Sequence, residues 1–321
     1  MQRGDDVAGK FREGDVENWA DVRHRLGPRL IVVGDRRDFC ASGRLGPGLA
    51  SRGAQLVEGL KLAEAEQFQR RRASAIVGNV IELADLVEKG GFIWLWPGAA
   101  ELADPAKLPD CHAFGLDRPD WTAKPYLMLE IKSNYSLLFE NLLDTSHISF
   151  LHGTALDGGR MASSSFRLES EEKTVRLIRE LKGDTPTPSN TKQYGLHGVT
   201  IFDRRLESIA YLPNLHIIRN TFTFPERPGH PPHVRINVMP ITPSRPNELY
   251  QFLTMTASYP ETHPVELVEG MRSVLDEDRV VLEAIQDLYD ENGSDLPEWS
   301  VNADVAGLRA RRKLAELAAI A

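Results

Sequence analysis

The sequence is poor in cysteine, has no long hydrophobic run and carries no surplus of positive charge. Its two cysteines, Cys40 and Cys111, cannot build the disulfide framework of a small secreted domain, so we expect a reducing, cytoplasmic location. No apolar run reaches the roughly 20 residues that a membrane-spanning helix needs. The formal net charge of −8 argues against nucleic acid or an anionic membrane surface as the main partner. A chain of 321 residues is long enough for one large domain and a smaller one.

An acid and two histidines, Asp144, His147 and His152, follow one another at short spacing in a helix predicted near residues 134–151. Imidazoles suit a first-row transition metal, and two of them with one carboxylate form the facial arrangement of non-heme Fe(II) sites. His152 lies about 500° around the helix from His147, so both can reach one ion only if the helix loosens, which we expect near Leu151. A buried polar face with two hydrogen-bonded histidines is the alternative interpretation.

A third ligand is predicted from a long amphipathic helix expected at residues 264–290. Asp278 lies in the middle of its apolar stripe, where a carboxylate is costly unless it is paired or bound to metal. The stripe consists of Met271, Val274, Leu275, Val281, Leu282, Ile285 and Tyr289. The acids expected to point away from it are Asp276, Glu277, Glu283 and Asp287. A buried salt bridge to an arginine is the alternative, but a histidine pair that needs one more anion favours the metal.

Six candidate strands follow the first helix, and their density and Pro/Gly breaks predict an antiparallel sheet. They are predicted at Ser165–Leu168, Thr174–Leu181, Ser208–Tyr211, Leu215–Phe224, Val234–Ile241 and Leu249–Ser258. Such a sheet can enclose an apolar pocket that suits a flat aromatic molecule. Four aromatic residues of these strands are predicted to be ordinary core: Phe222, Phe224, Tyr250 and Phe252.

Several stretches between residues 87 and 321 carry a family resemblance. The sequence N-L-L-D-T-S-H-I-S-F-L-H at 141–152 resembles the iron-binding helix of Rieske-type aromatic-ring oxygenases, in particular the vanillate O-demethylase oxygenase group. D-E-D-R-V-V-L-E-A-I-Q at 276–286 resembles the helix that gives this group its carboxylate ligand, and V-E-K-G-G-F-I-W-L-W-P-G at 87–98 resembles the end of its Rieske domain. The resemblance implies an α+β fold, with a helix-grip catalytic domain at 113–321 after a smaller, degenerate Rieske-like β region at 1–112.

The resemblance also implies roles for single residues. His147, His152 and Asp278 would hold a mononuclear Fe(II), and Asp144 would be the catalytic carboxylate that links His147 to the Rieske centre of a neighbouring subunit in a homotrimer. The family implies dioxygen, an aromatic small-molecule substrate, and a reductase or ferredoxin as electron donor. Asn141 matches a polar position of the motif without an assigned role.

The sequence departs from the family where the [2Fe–2S] cluster should be held. A Rieske cluster needs two cysteines and two histidines, but Leu49 and Ser51 stand where the first Cys and His are expected, and residues 61–80 offer no second pair. The chain is therefore not expected to assemble this cluster by itself. Decay of the cluster domain, its replacement, and a reading-frame error over residues 40–86 all remain open.

Two classes of function follow. The first is the terminal oxygenase component of a Rieske-type system, which carries out monooxygenation or O-demethylation of an aromatic acid at the iron. The second is a helix-grip protein that binds an aromatic ligand, or an inactive homologue, in either case without an electron supply. The intact ligand motif favours the first class, and the missing cluster ligands favour the second.

Overall fold

The computed structural model describes residues 31–35, 71–74, 82–95, 103–123, 126–152, 160, 163–260, 264–293 and 297–319. Leu49, Ser51 and Cys40, on which the cluster argument rests, lie outside these residues.

A small antiparallel sheet precedes the main sheet. Its strands, in the spatial order β1-β4-β3-β2, are β1 (Ile31–Asp35), β2 (Arg71–Ser74), β3 (Glu82–Lys89) and β4 (Phe92–Leu95). The turn between β3 and β4 contains Gly91 at a φ of 80°, and a Cβ there would lie 1.8 Å from the hydroxyl of Tyr126. Glycine is therefore required by both conformation and space. The domain boundary between residues 112 and 113 stays a prediction.

The main sheet has eight antiparallel strands. They are β5 (Thr122–Ala123), β6 (Leu127–Ile131), β7 (Phe166–Ser170), β8 (Thr174–Asp184), β9 (Phe202–Tyr211), β10 (Leu215–Thr223), β11 (His233–Arg245) and β12 (Glu248–Ala257). Their spatial order is β5-β12-β11-β10-β9-β8-β7, and β6 pairs with β12. The predicted antiparallel sheet is confirmed, but β9 begins six residues before the predicted Ser208. The charged segment before Ser208 is untypical of a strand and concealed this extension.

Helices cover one face of this sheet. They are α1 (Tyr135–Leu143), α2 (Ile148–Leu151), α3 (Pro188–Tyr194), α4 (Pro264–Asn292) and α5 (Val305–Ala319). The core between α1, α4, α5 and the sheet includes Leu138, Leu143, Leu275, Leu282 and Met255, all almost fully buried. The α+β class and the antiparallel sheet with helices are confirmed. None of the described helices is both long enough and apolar enough to cross a membrane.

The prediction of one helix near 134–151 is wrong in its middle. Asp144 leaves the helical conformation with φ −81° and ψ 86°, and residues 145–147 form a turn before α2. The Asp144 carboxylate accepts hydrogen bonds from the backbone N–H and the hydroxyl of Ser146, a local contact that competes with the helix. The chain therefore leaves the helical conformation ahead of His147 and again after Leu151, where α2 ends as expected and His152 is its C-terminal cap residue.

The buried stripe of α4 differs from its prediction at one edge. Val281 is 36% exposed, whereas Gln286 is buried. Val281 lies about 90° around the helix from the centre of the buried face, so it reaches the rim. The four aromatic residues predicted as core are all buried: Phe222, Phe224, Tyr250 and Phe252.

Candidate metal centre

His147, His152 and Asp278 lie together although more than a hundred positions separate the pair from the acid. The two histidines flank α2, and Asp278 lies in the middle of α4. Oδ1 of Asp278 is 3.5 Å from Nε2 of His147 and 3.3 Å from Nε2 of His152. Ligand atoms about 2.1 Å from a common ion, at angles near 90–110°, lie about 3.0–3.5 Å apart. These two distances fit a common ion, and the role of the three residues as iron ligands stays a prediction.

The opposite nitrogen of each imidazole is engaged. Nδ1 of His147 contacts the backbone carbonyl of Asp144, and Nδ1 of His152 lies 2.7 Å from Oε2 of Glu277. Both acceptors favour a proton on Nδ1, which leaves the lone pair of Nε2 directed towards Asp278. This is the arrangement by which neighbouring acceptors orient metal-binding histidines.

The turn before His147 is held by the sheet. Arg179 of β8 donates from Nε to the hydroxyl of Thr145 at 2.7 Å, and burial lowers the pKa of this arginine. Ser208 of β9 donates to the carbonyl of Leu142, the last turn of α1, at 2.6 Å. The position of His147 is thereby fixed from β8 and β9, as well as from its own helix.

Asp278 is a buried carboxylate that pairs with no arginine in the part of the chain that the structure describes. It is 4% exposed, and its partners among the described residues are the two histidines and Asn141, whose Nδ2 donates to Oδ1 at 3.1 Å. The alternative, a buried salt bridge to an arginine, has no counterpart among the described residues. A carboxylate oxygen facing two imidazole lone pairs at 3.3–3.5 Å is unfavourable without a cation among them, so the donor set fits a metal ion.

The two carboxylates beside His152 also change its pKa. Burial by itself lowers the pKa of this imidazole, but hydrogen bonds and charge from Asp278 and then Glu277 more than offset burial and raise the pKa. Positive charge at this position is thus stabilised by both carboxylates.

Glu277 and Asp144 differ from expectation. Glu277 was predicted to point away from the stripe; its side chain is 43% exposed but bends back to His152. The carboxylate of Asp144 bonds to Ser146, and among the described residues it makes no hydrogen bond to His147, which contacts only the Asp144 carbonyl. A bridging role for the Asp144 carboxylate stays a prediction.

A cavity opens beside the three candidate ligands and holds about 690 Å³ of empty space including its mouth. Leu142, Ile218 and Met239 give it apolar walls. The opposite sheet contributes four polar side chains that sequence analysis missed: Arg204, Asn220, Arg235 and Asn237. Their only signal is strand alternation, which becomes visible once the start of β9 is known. Apolar walls with a few polar groups are the lining expected of a site for a small aromatic molecule.

The chain matches a known protein family and a known relative. The family described as the vanillate O-demethylase oxygenase C-terminal domain matches residues 131–320, a range that includes all three candidate ligands. The vanillate O-demethylase oxygenase subunit of a Pseudomonas species is 28% identical over 252 residues, which cover 72% of this chain and 72% of that protein.

Solved structures show the same fold. The crystal structure of dicamba monooxygenase bound to 3,6-dichlorosalicylic acid matches with a TM-score of 0.63 at 23% identity, and the match covers 75% of this chain and 71% of that chain. The crystal structure of the same enzyme with non-heme iron and dicamba matches with a TM-score of 0.56 at 20% identity, covering 75% and 69%. At these identities the likeness establishes the architecture of the domain that carries the site.

Proposed function

Because this chain belongs to the family of the vanillate O-demethylase oxygenase C-terminal domain, we propose that it is the terminal oxygenase component of a Rieske-type system acting on an aromatic acid. The observation that carries the proposal is the convergence of His147, His152 and Asp278, with both Nε2 atoms directed towards the buried carboxylate. The relative named as a vanillate O-demethylase oxygenase subunit supports the same reaction class, an oxidation by dioxygen.

His147, His152 and Asp278 would hold the metal. When bound, Fe(II) supplies a coordination site for dioxygen and redox chemistry that no side chain of the chain can provide. Asn141 orients the Asp278 carboxylate, and Glu277 with the Asp144 carbonyl orients the two imidazoles. With these orienting contacts in place, the three ligand atoms lie within 4.8 Å of one another.

The cavity beside the ligands would bind the aromatic ring. Its apolar residues can contact both faces of a flat ring and exclude water from it. For a methoxyarene, one dioxygen, two electrons and two protons give the phenol, formaldehyde and water. The two electrons come from a separate reductase or ferredoxin.

The supply of those electrons distinguishes this chain from an intact family member. The sequence has neither Cys–His pair of a Rieske cluster, with Leu49 and Ser51 at the first pair. We infer that turnover needs a neighbouring subunit with an intact cluster, in a trimer where the Asp144 segment faces that cluster. The same observation favours the second candidate function, an aromatic-ligand-binding protein or inactive homologue.

Coexpression with a cluster-intact homologue tests the proposal. Formaldehyde release from vanillate is measured with NADH and reductase, for this chain alone and for the mixed oligomer. In the intact subunit the counterpart of Asp144 is changed to Asn, so that electrons do not reach the iron of that subunit. We expect little release from this chain alone and multiple turnovers from the mixed oligomer. Multiple turnovers by this chain alone would refute the electron-supply argument. No turnover by an iron-loaded mixed oligomer would favour the second candidate function.

A further inference from the structure

Two arginines reach into the cavity from the sheet. Arg204 of β9 and Arg235 of β11 line its wall and are only 4% and 2% exposed. Strand alternation places Arg204 on the inner face, whereas the next residue, Arg205, lies on the outer face and pairs with Glu180 and Glu207. The cavity therefore contains two buried cations that the three candidate metal ligands do not require.

Arg204 is held in place without a negative charge. Its Nε donates to Oδ1 of Asn220 at 2.9 Å, and its guanidinium lies 5.6 Å and 5.7 Å from the ring centroids of Tyr194 and Phe222. Among the described residues no carboxylate forms an ion pair with it. Aromatic faces and one amide offset only part of the cost of burying a cation, so the remaining guanidinium N–H groups call for an anionic partner.

Arg235 adds to the positive potential at the same place. Its guanidinium lies 5.3 Å from the ring centroid of Tyr194, the same ring that supports Arg204. In the sheet, Arg235 pairs with Asn220, the residue that accepts the Arg204 hydrogen bond. The two guanidinium groups thus share an aromatic support and an adjoining amide.

A third polar group faces the same space. Asn237 follows Arg235 at the next inward position of β11 and is 9% exposed. Its Oδ1 is buried and has no hydrogen-bond partner among the described residues. A buried acceptor without a partner is costly, and a hydroxyl or other donor on a bound ring would satisfy it.

We propose that Arg204, with Arg235 beside it, is the anion-binding subsite of the cavity, and that it holds a carboxylate or sulfonate attached to the aromatic substrate. A guanidinium fork matches both oxyanions and cannot lose its proton, so a neutral aromatic analogue leaves it unsatisfied. Asn237 accepts a hydrogen bond from the same molecule, and the ring lies between this polar end and the candidate metal ligands. The inference rests on the proposed function, since it assigns the substrate chemistry of that site.

Isothermal titration of the purified full-length protein, without reductase or electron donor, tests the subsite independently of turnover. The probes are vanillate, vanillamide and 4-hydroxy-3-methoxybenzenesulfonate, which share one hydroxylated, methoxylated ring and differ only in the charge and type of the group para to the hydroxyl. The variants are Arg204→Gln, Arg204→Lys and, as a matched control from the outer face, Arg205→Gln. Thermal unfolding of each variant establishes that it is folded.

We expect the wild type to bind at least one of the two anions about 10- to 100-fold more tightly than vanillamide. Arg204→Gln should remove this preference, Arg204→Lys should restore part of it, and Arg205→Gln should retain it. Tighter binding of the carboxylate or of the sulfonate identifies which oxyanion the subsite prefers.

Equal affinity for the anions and the amide, or a preference that survives in a folded Arg204→Gln protein, would overturn the assignment. So would the absence of binding by both anions. Anion-selective binding by a protein that shows no turnover even beside an intact partner would leave this subsite standing and sink the proposed oxygenase function instead.

Discussion

Glu277 gives a sharp test of how the candidate metal centre is built. Its carboxylate lies 2.7 Å from Nδ1 of His152 and is the only carboxylate among the described residues that contacts this nitrogen. By accepting the Nδ1 proton it fixes the ring orientation and leaves Nε2 as a ligand. Glu277→Ala removes the acceptor, whereas Glu277→Gln keeps an acceptor but removes its charge.

The expected loss of metal affinity can be bounded from the structure. Acceptors of this type are worth roughly 10–100-fold in metal affinity. Because the Glu277 side chain is 43% exposed, water can replace part of its contribution, and we expect the lower end, about tenfold or about 1.4 kcal/mol, for Glu277→Ala. Glu277→Gln should lose less, since its amide oxygen can still accept the proton.

Anaerobic competition between the protein and a chromophoric Fe(II) chelator measures these affinities. Asp287→Asn, an exposed change on the same helix, is the control and should bind iron as the wild type does. The reasoning fails if Glu277→Ala binds Fe(II) as tightly as the wild type, or if the control loses as much affinity.

Two further predictions concern the scaffold. Arg311 donates to both carboxylate oxygens of Glu140 at 2.6 Å and 2.7 Å, and burial raises the pKa of Glu140. Arg311→Ala should therefore lower the free energy of unfolding, measured in urea, by about 2–3 kcal/mol. This loss is smaller than for a fully buried pair because Arg311 is partly exposed. Unchanged stability, with Arg312→Ala as control, would contradict this ion-pair argument. Burial lowers the pKa of His216 to about 3 from its ordinary 6.5, so as the pH falls the unfolded chain protonates this imidazole before the folded chain does. The wild type therefore loses stability as the pH falls from about 6.5 towards 3. His216→Gln should lose roughly 2 kcal/mol less than the wild type between pH 7 and pH 5, and equal losses measured by urea unfolding would show that His216 does not contribute.

The candidate ligands could be predicted from sequence because their signals are local. The His147–His152 spacing and the position of Asp278 within an apolar stripe depend only on helical periodicity and on the cost of a buried carboxylate. The break at Asp144 escaped prediction because it arises from a competing contact with Ser146 and not from a glycine or proline.

The surroundings of the ligands could not be predicted in the same way. Glu277 points away from the stripe by helical angle, and it reaches His152 only because α2 lies against α4. Arg204 belongs to a charged segment that is untypical of a strand, and its inward direction follows from the register of β9 with β10. Such contacts depend on how distant elements pack, which a single sequence does not encode locally.

Anaerobic Fe(II) titration of the wild type and of Asp278→Ala tests the central claim most directly, with Asp276→Ala as a control. Asp276 lies two residues away on α4 and bonds to Arg279, outside the candidate centre. We predict about one tightly bound Fe(II) per chain for the wild type and for Asp276→Ala, and loss of that binding in Asp278→Ala. Tight stoichiometric iron in Asp278→Ala, or none in the wild type, would contradict the assignment of His147, His152 and Asp278 as the iron ligands.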